Sequence, residues 1–337
     1  MNDFIKQFNY IYSEKCTSYK RLPSILPAVE RIIVIGDIHG DMGKLIECLK
    51  IAKLIKKTSD SKWKWTGKNT VVVQVGDQID SCRNNGIDRC DDPETYTPEN
   101  DNPKDIEILY FMTELHRMAS EHGGAVYSLM GNHELMNVSG DMSYVSHQNL
   151  QHLSNYRTFN GAIIKDGKDA RKFLFSPGNE IAHFLACTRK VALIIGSNLF
   201  VHAGIIPMIA HKYKIDDINA IMTLFLFNQI NNMDIFSDLF INGATSPLWT
   251  RMFGLKIHDC VELLQPLKEI YNVNHIYVGH TPQIETGITS QCNNGVWMTD
   301  VGMSHSFDMY FPRHTNKARN AQVLEILNDG EQFKILR

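Results

Sequence analysis

Five apolar runs in this chain stop abruptly on a polar, metal- or phosphate-seeking residue, and they limit the fold to very few choices. Arg31-Ile32-Ile33-Val34-Ile35 runs into Gly36-Asp37, and Val71-Val72-Val73-Gln74-Val75 runs into Gly76-Asp77. The run 125–130 meets Gly131-Asn132, 199–201 meets His202, and 275–278 meets Gly279-His280. Continuous β-branched runs of this length mark strands buried on both faces, as in a parallel sheet. Helical periodicity over 42–56, with Asp41 as its N-cap, and over 105–122 separates the first three. Alternating strand and helix predicts a parallel sheet with helices packed on it. In such sheets ligands gather beyond the carboxyl ends of the strands.

The rest of the chain is read more coarsely. Residues 1–25 form an N-terminal helical segment, and 26–337 a single domain with a polar surface insertion at about 81–104. Helices are predicted in parts of 140–190, over 215–242 and over 257–271. A hairpin is predicted around Gly196-Ser197-Asn198, and late strands over 296–300 and 322–327. Trp63 and Trp65 are packing residues or part of a hairpin.

The residues at the strand ends form one chemical set. Asp37, His39, Asp77, Asn132, His202 and His280 supply carboxylates, a neutral carbonyl oxygen and imidazoles. That mixture suits two divalent metal ions, Mn, Fe or Zn, better than an all-oxygen magnesium site. Asp77 is the natural bridging carboxylate, because its two oxygens can span two ions. Two metals roughly 4 Å apart can clamp a phosphoryl group and lower the pKa of a bound water. His133, next to Asn132, is the candidate general acid, and Asp80 can hold its imidazole in one tautomer. Glu134 reads as an acceptor behind the site. Arg251 and Arg83 are candidate phosphate clamps.

These segments resemble the phosphoprotein phosphatase family of serine/threonine phosphatases, within the calcineurin-like metallophosphoesterase superfamily. Gly36-Asp37-Ile38-His39-Gly40 and Gly131-Asn132-His133-Glu134 match two of its signatures in full. Gly76-Asp77-Gln78-Ile79-Asp80 matches the third in part, with Ser81 where the family has arginine and Arg83 two residues later. Ser246-Pro247-Leu248-Trp249-Thr250-Arg251 and Asp300-Val301-Gly302-Met303-Ser304 resemble the bacterial-type, Shewanella-like branch. The resemblance spans roughly 31–305. It implies a calcineurin-like α/β fold, a β-sandwich of two mixed sheets flanked by helices. It implies metal binding by Asp37, His39, Asp77, Asn132, His202 and His280, and attack by a hydroxide generated between two metals. His133 would be the general acid with Asp80 as its partner, Arg251 would bind phosphate, and Arg83 would replace the missing arginine. The implied substrate is a phosphorylated protein, or otherwise a small phosphoester.

Two other functions compete: hydrolysis of a nucleotide or diadenosine polyphosphate, and a catalytically inactive phosphate-binding module. A net charge of −3 supplies no global field for nucleic acid or an anionic membrane. No apolar run reaches the ~18 residues of a membrane span. Seven cysteines are no disulfide framework at this length. They predict mostly reduced thiols in a cytoplasmic protein, with Cys82 and Cys90 as two surface thiols or, alternatively, a redox-switching disulfide or a metal site completed by a third group. His116, His122, His147, His152, His183 and His211 read as solvated or capping residues, and His305 and His314 lie near the site without a motif. The sequon-like Asn137-Val138-Ser139 reads as chance.

Overall fold

The computed structural model of the chain describes residues 2–83, 89–94, 104–231, 233–308, 311 and 316–337. His314 and much of the 81–104 insertion lie outside the described residues. Among the described residues, twelve strands build two six-stranded sheets. In chain order they are β1 Ile25–Leu26, β2 Arg31–Ile35, β3 Val71–Gln74, β4 Ala125–Leu129, β5 Arg189–Lys190 and β6 Ala192–Ile195. Then follow β7 Asn198–Val201, β8 His275–Val278, β9 Thr289–Gln291, β10 Val296–Met298, β11 Val323–Leu327 and β12 Gln332–Leu336.

One sheet runs β12-β11-β2-β3-β4-β5 and the other β1-β6-β7-β8-β10-β9. Strands β2 to β5 pair in parallel, as their unbroken apolar character requires, while β11 and β12 return antiparallel at the edge. In the second sheet β8 lies parallel to β7 and β10. Only Val191 separates β5 from β6, so the chain crosses there from one sheet to the other. Side chains from both sheets share one core: Leu193, Phe200 and Tyr277 pack with Ile33, Val72 and Val126. This is the expected α/β sandwich of two mixed sheets.

The helices that matter here are α1 Asn2–Lys15, α2 Met42–Ile51, α3 Asp105–Ser120, α4 Asn132–Val138, α5 Gly167–Phe175, α6 Glu180–Thr188, α7 Ile215–Leu226 and α8 Cys260–Tyr271, with other short helices between them. Asp41 caps α2 as expected, its Oδ1 accepting from Lys44 N at 2.9 Å. That helix stops at residue 51, short of 56, because 55–57 instead pairs with 63–65 in a small ribbon holding both tryptophans. Helix α1 buries Phe8, Ile11 and Tyr12 in the core around α6 and α7, and β1 joins the second sheet.

The expectation of mostly reduced thiols is overturned, whereas the alternative of a Cys82–Cys90 pair agrees with the structure. Cys16–Cys187, Cys82–Cys90 and Cys260–Cys292 are disulfides, and Cys48 alone is free. Cys82 and Cys90 are buried rather than surface thiols. Spacing alone could not reveal this, because two of the three bridges join residues 171 and 32 apart. Cytosolic disulfides are rare, so cysteine usage no longer argues for the cytoplasm. Among the described residues no helix is long and apolar enough to cross a membrane.

Candidate metal centre and active site

The five strand ends converge. β2, β3 and β4 of one sheet, and β7 and β8 of the other, all deliver their carboxyl-terminal loops to the same edge of the sandwich. Asp77 lies at the middle. Its Oδ2 is 3.3 Å from His202 Nε2, 3.7 Å from His39 Nε2 and 3.8 Å from His133 Nε2. Two overlapping clusters share this carboxylate: His39, Asp77 and His133, and Asp77, His202 and His280. His39 Nε2 also stands 3.9 Å from Asp37 Oδ2. Asn132 Oδ1 lies 2.9 Å from both His202 Nε2 and His280 Nδ1. All six candidate ligands of the sequence reading are therefore together, and all are buried.

Backbone contacts select which nitrogen of each imidazole faces inward. His202 Nδ1 is 2.9 Å from Val75 O, a contact that requires N–H there, so that the neutral ring turns its Nε2 lone pair toward Asp77. His280 is reversed: Nε2 meets Trp249 O at 3.0 Å, so Nδ1 carries the inward lone pair. Carbonyl anchoring of this kind fixes a ligand imidazole before any ion arrives.

The loops are tight and strained. His39, Asp77, Asp80 and His280 all adopt positive φ, between 45° and 69°. Such backbone costs of order 1–3 kcal/mol per residue and persists where the surroundings over-determine it. Glu134 supplies much of that determination. Its buried carboxylate accepts from Gln78 N and Gly131 N at 2.7 Å and from Asp77 N at 3.0 Å, stapling two motif loops together. Two glycines are sterically obligatory. A Cβ at Gly131 would fall 2.1 Å from Asp77 Oδ1, and one at Gly279 2.1 Å from Asp37 Oδ1.

Electrostatics favour positive charge at this centre. Burial, then Asp300 and Asp77, push the Asp37 carboxyl well above its ordinary value. Burial likewise lifts Asp300, to about 6. Asp77 is also penalised by burial, but the imidazoles of His202, His133 and His39 outweigh that and hold it well below the usual range. Burial and then Arg83 lower His39, while burial and then His202 lower His280 to about 3. Burial thus favours the neutral, ligating forms of these two rings, whereas at His202 the Asp77 carboxylate outweighs burial and raises the pKa. Among the described residues, Asp37 Oδ1 and His39 Nδ1 are buried without a hydrogen-bond partner. Crowded buried carboxylates, neutral imidazoles and orphaned donor atoms fit divalent cations.

His133 and Asp80 are joined as expected, Nδ1 to Oδ2 at 2.8 Å. Sequence reasoning missed what holds Asp80. Asn137, one helical turn beyond His133, donates to Asp80 Oδ1 and Oδ2 at 2.9 and 3.1 Å. Arg171 of α5 is fully buried, grips Asp105 through two bonds of 2.9 and 2.8 Å, and donates to Asn137 Oδ1 at 2.7 Å and Asp80 Oδ1 at 3.4 Å. Asp105 Oδ2 in turn accepts from Asp80 N at 3.0 Å. The i+4 spacing of Asn137 was a readable signal; nothing local marks Arg171. Asp300, whose buried Oδ2 has no hydrogen-bond partner among the described residues and whose charge raises Asp37, carried no ligand motif either.

The two arginines differ. Arg251 is exposed, with NH1 3.2 Å from His280 O and 3.3 Å from Thr281 Oγ1, beside a candidate ligand. Arg83 is half-buried over the Phe307 ring at 4.5 Å, within electrostatic reach of Asp77, Asp300, Asp80 and Asp37. Ser81, in the family arginine's place, is instead buried, with Asn149 Nδ2 donating to its hydroxyl at 2.9 Å. Of the remaining histidines, His183 meets Lys15 O at 2.9 Å, capping the end of α1. His116 is half-buried, its Nδ1 3.0 Å from Val126 O.

This fold and centre define a metallophosphoesterase. The profile of the calcineurin-like phosphoesterase family matches residues 30–283, and the chain belongs to that family, which makes it a phosphoester hydrolase. It is 34% identical over 255 residues to an uncharacterized protein of Acanthamoeba polyphaga mimivirus, covering 68% of this chain and 98% of that one. It is 29% identical over 337 residues to Shewanella-like protein phosphatase 2 of Arabidopsis thaliana, covering 89% and 76%. Among solved structures it superposes on a cold-active protein-tyrosine phosphatase of a psychrophilic Shewanella with a TM-score of 0.66 at 23% identity, covering 94% and 83%.

Proposed function

We propose that the chain is a metal-dependent phosphoprotein phosphatase, releasing phosphate from serine or threonine side chains. The observation that carries this reading is Asp77 Oδ2, set 3.3–3.8 Å from three imidazole nitrogens. Asp37, His39 and Asp77 would hold one divalent cation, and Asp77, Asn132, His202 and His280 the second; Mn, Fe or Zn suit these donors. Bound there, two such ions supply an activated water and neutralise charge on the phosphoryl group. Asp80 holds the N–H at His133 Nδ1, so protonated His133 presents its Nε2–H toward the centre. His133 is then the general acid that protonates the departing oxygen. Arg251 and Arg83 clamp phosphate oxygens that the metals leave free.

His133→Asn separates acid catalysis from the rest of the machinery. On a phosphoserine peptide, kcat is expected to fall by about 10²–10⁴-fold, the usual contribution of a positioned acid. On p-nitrophenyl phosphate, whose leaving group needs no proton, the loss should be much smaller. Equal losses on both substrates would remove His133 from this role. A panel of phosphoserine, phosphothreonine and phosphotyrosine peptides with diadenosine tetraphosphate, each with added Mn, tests the substrate class. Turnover of the dinucleotide alone would overturn the protein-phosphatase reading.

The arginines give a second test. Charge-assisted hydrogen bonds are worth about 1.5–3 kcal/mol, so Arg251→Ala should cost roughly 10–100-fold in kcat/KM. If Arg83 stands in for the missing arginine, Arg83→Ala should show a comparable loss and weaker inhibition by inorganic phosphate. A wild-type KM and phosphate affinity in that variant would leave Arg251 as the sole clamp.

A further inference from the structure

Lys190 of β5 differs from the other buried cations. Arg171 is matched by two carboxylates, and the Arg189 guanidinium donates to Gln78 Oε1, Thr113 Oγ1 and Leu109 O. Lys190 is only 6% exposed, yet among the described residues no carboxylate or carbonyl pairs with its ammonium. Its nearest ring is Tyr12, whose centre lies 6.0 Å from Nζ. Burial, then repulsion from Arg21, lowers its pKa to about 8, and attraction from Asp216 does not cancel them. Its ammonium is not sealed in the core but opens onto an adjoining cavity, where an anion could stand beside it.

This ammonium lines a cavity of about 360 Å³ between the N-terminal segment and the core, on which Arg21, Ser24, Asp216 and Asn219 also border. That volume lies in the range of small-molecule sites. Arg21 stands over the rings of Phe8 and Tyr12 at 5.0 and 5.7 Å, so both cations flank the Tyr12 ring. Ser24 Oγ accepts from Asn219 Nδ2 at 3.0 Å, and its own O–H remains a donor. Asn219 Oδ1 is already committed to Val191 N and Ala192 N, which fixes the floor of the cavity. Two cations against one carboxylate, with a hydroxyl donor on the same wall, is the composition of an oxyanion site.

We propose that this cavity binds a small oxyanion of the phosphate class, with Lys190 as a point charge, Arg21 as a forked donor and Ser24 as the neutral donor. Such a ligand would tie the N-terminal segment to β5. The Lys190 carbonyl accepts from Met130 N at 2.8 Å, directly before Gly131-Asn132-His133, so the site abuts the strand that carries the catalytic loop.

Amine modification with a peptide-mass readout tests this on the intact, metal-loaded protein, because phosphate at the catalytic centre does not touch Lys190. Inorganic phosphate at ten times its dissociation constant should slow modification of Lys190 about tenfold, the factor set by occupancy. Lys212, exposed and paired with Asp238, should be unaffected. Arg21→Gln should shift the protection to higher phosphate. Protection by adenosine monophosphate as well would show that the cavity accepts phosphate esters, whereas protection by inorganic phosphate alone would restrict it to the free ion. A Lys190 modification rate indifferent to both ligands overturns the proposal.

Discussion

Asp77→Asn is expected to reduce turnover by more than about 10²-fold, beyond what loss of an outer partner of a metal ligand costs. The substitution keeps the shape of the side chain, and an amide oxygen in the Oδ1 position can still accept from His133 N, a bond of 3.0 Å in the wild type. What disappears is the negative charge at Oδ2, shared by the imidazoles of His202, His39 and His133. A neutral amide oxygen is a poor bridge between two cations, so elemental analysis should fall from two ions per chain toward one or none. Circular dichroism should remain that of the wild type, since Glu134 still clamps the Asp77 loop through Gln78 N. A variant with full metal content and activity within threefold of wild type would sink the bridged-centre reading. Loss of activity with loss of fold would point to the loop rather than to the metals.

The second large effect concerns stability. Arg171→Met should destabilise the fold by about 3–5 kcal/mol, the cost of leaving buried charges without their counterion. Asp105 loses both of its guanidinium bonds and Asp80 loses one, and neither carboxylate can reach water. For a chain of this size that corresponds to a fall in Tm of roughly 4–7 °C, read by thermal denaturation. Arg171→Lys should rescue little, because an ammonium cannot reproduce the forked contact. Adding Asp105→Asn to Arg171→Met should recover part of the loss by removing one orphaned charge. A single variant within about 1 kcal/mol of wild type would mean that the network is not coupled as its geometry indicates. The surviving enzyme should also be slower, because Asp80 would orient His133 less firmly.

Much of this protein could be read along the chain. A buried strand announces itself by its own composition, and here the residue with chemistry follows it directly. That is why Asp37, Asp77, Asn132, His202 and His280 were identified together with β2, β3, β4, β7 and β8. The boundaries failed where local signals conflicted: α2 was extended to 56 although Ile55 pairs with Trp65 across a turn. The insertion after Asp80 read as a polar surface loop, yet Ser81, Cys82 and Cys90 are buried because the chain folds back through a disulfide. Arg171 was invisible because its partners Asp105 and Asp80 lie 66 and 91 residues away. A surface arginine and a buried one look alike in sequence.

From the linear chain alone one obtains the α/β class, the six ligand candidates and the His133–Asp80 pair, since each depends on neighbours within a few residues. The folded molecule added the nitrogen of each imidazole that faces inward, the side chains that restrain Asp80, the disulfide pairing and the paired cations at Lys190. Those depend on which distant segments meet and at what distance. Hydrogen-bond geometry and desolvation act through space, so local pattern carries no record of them.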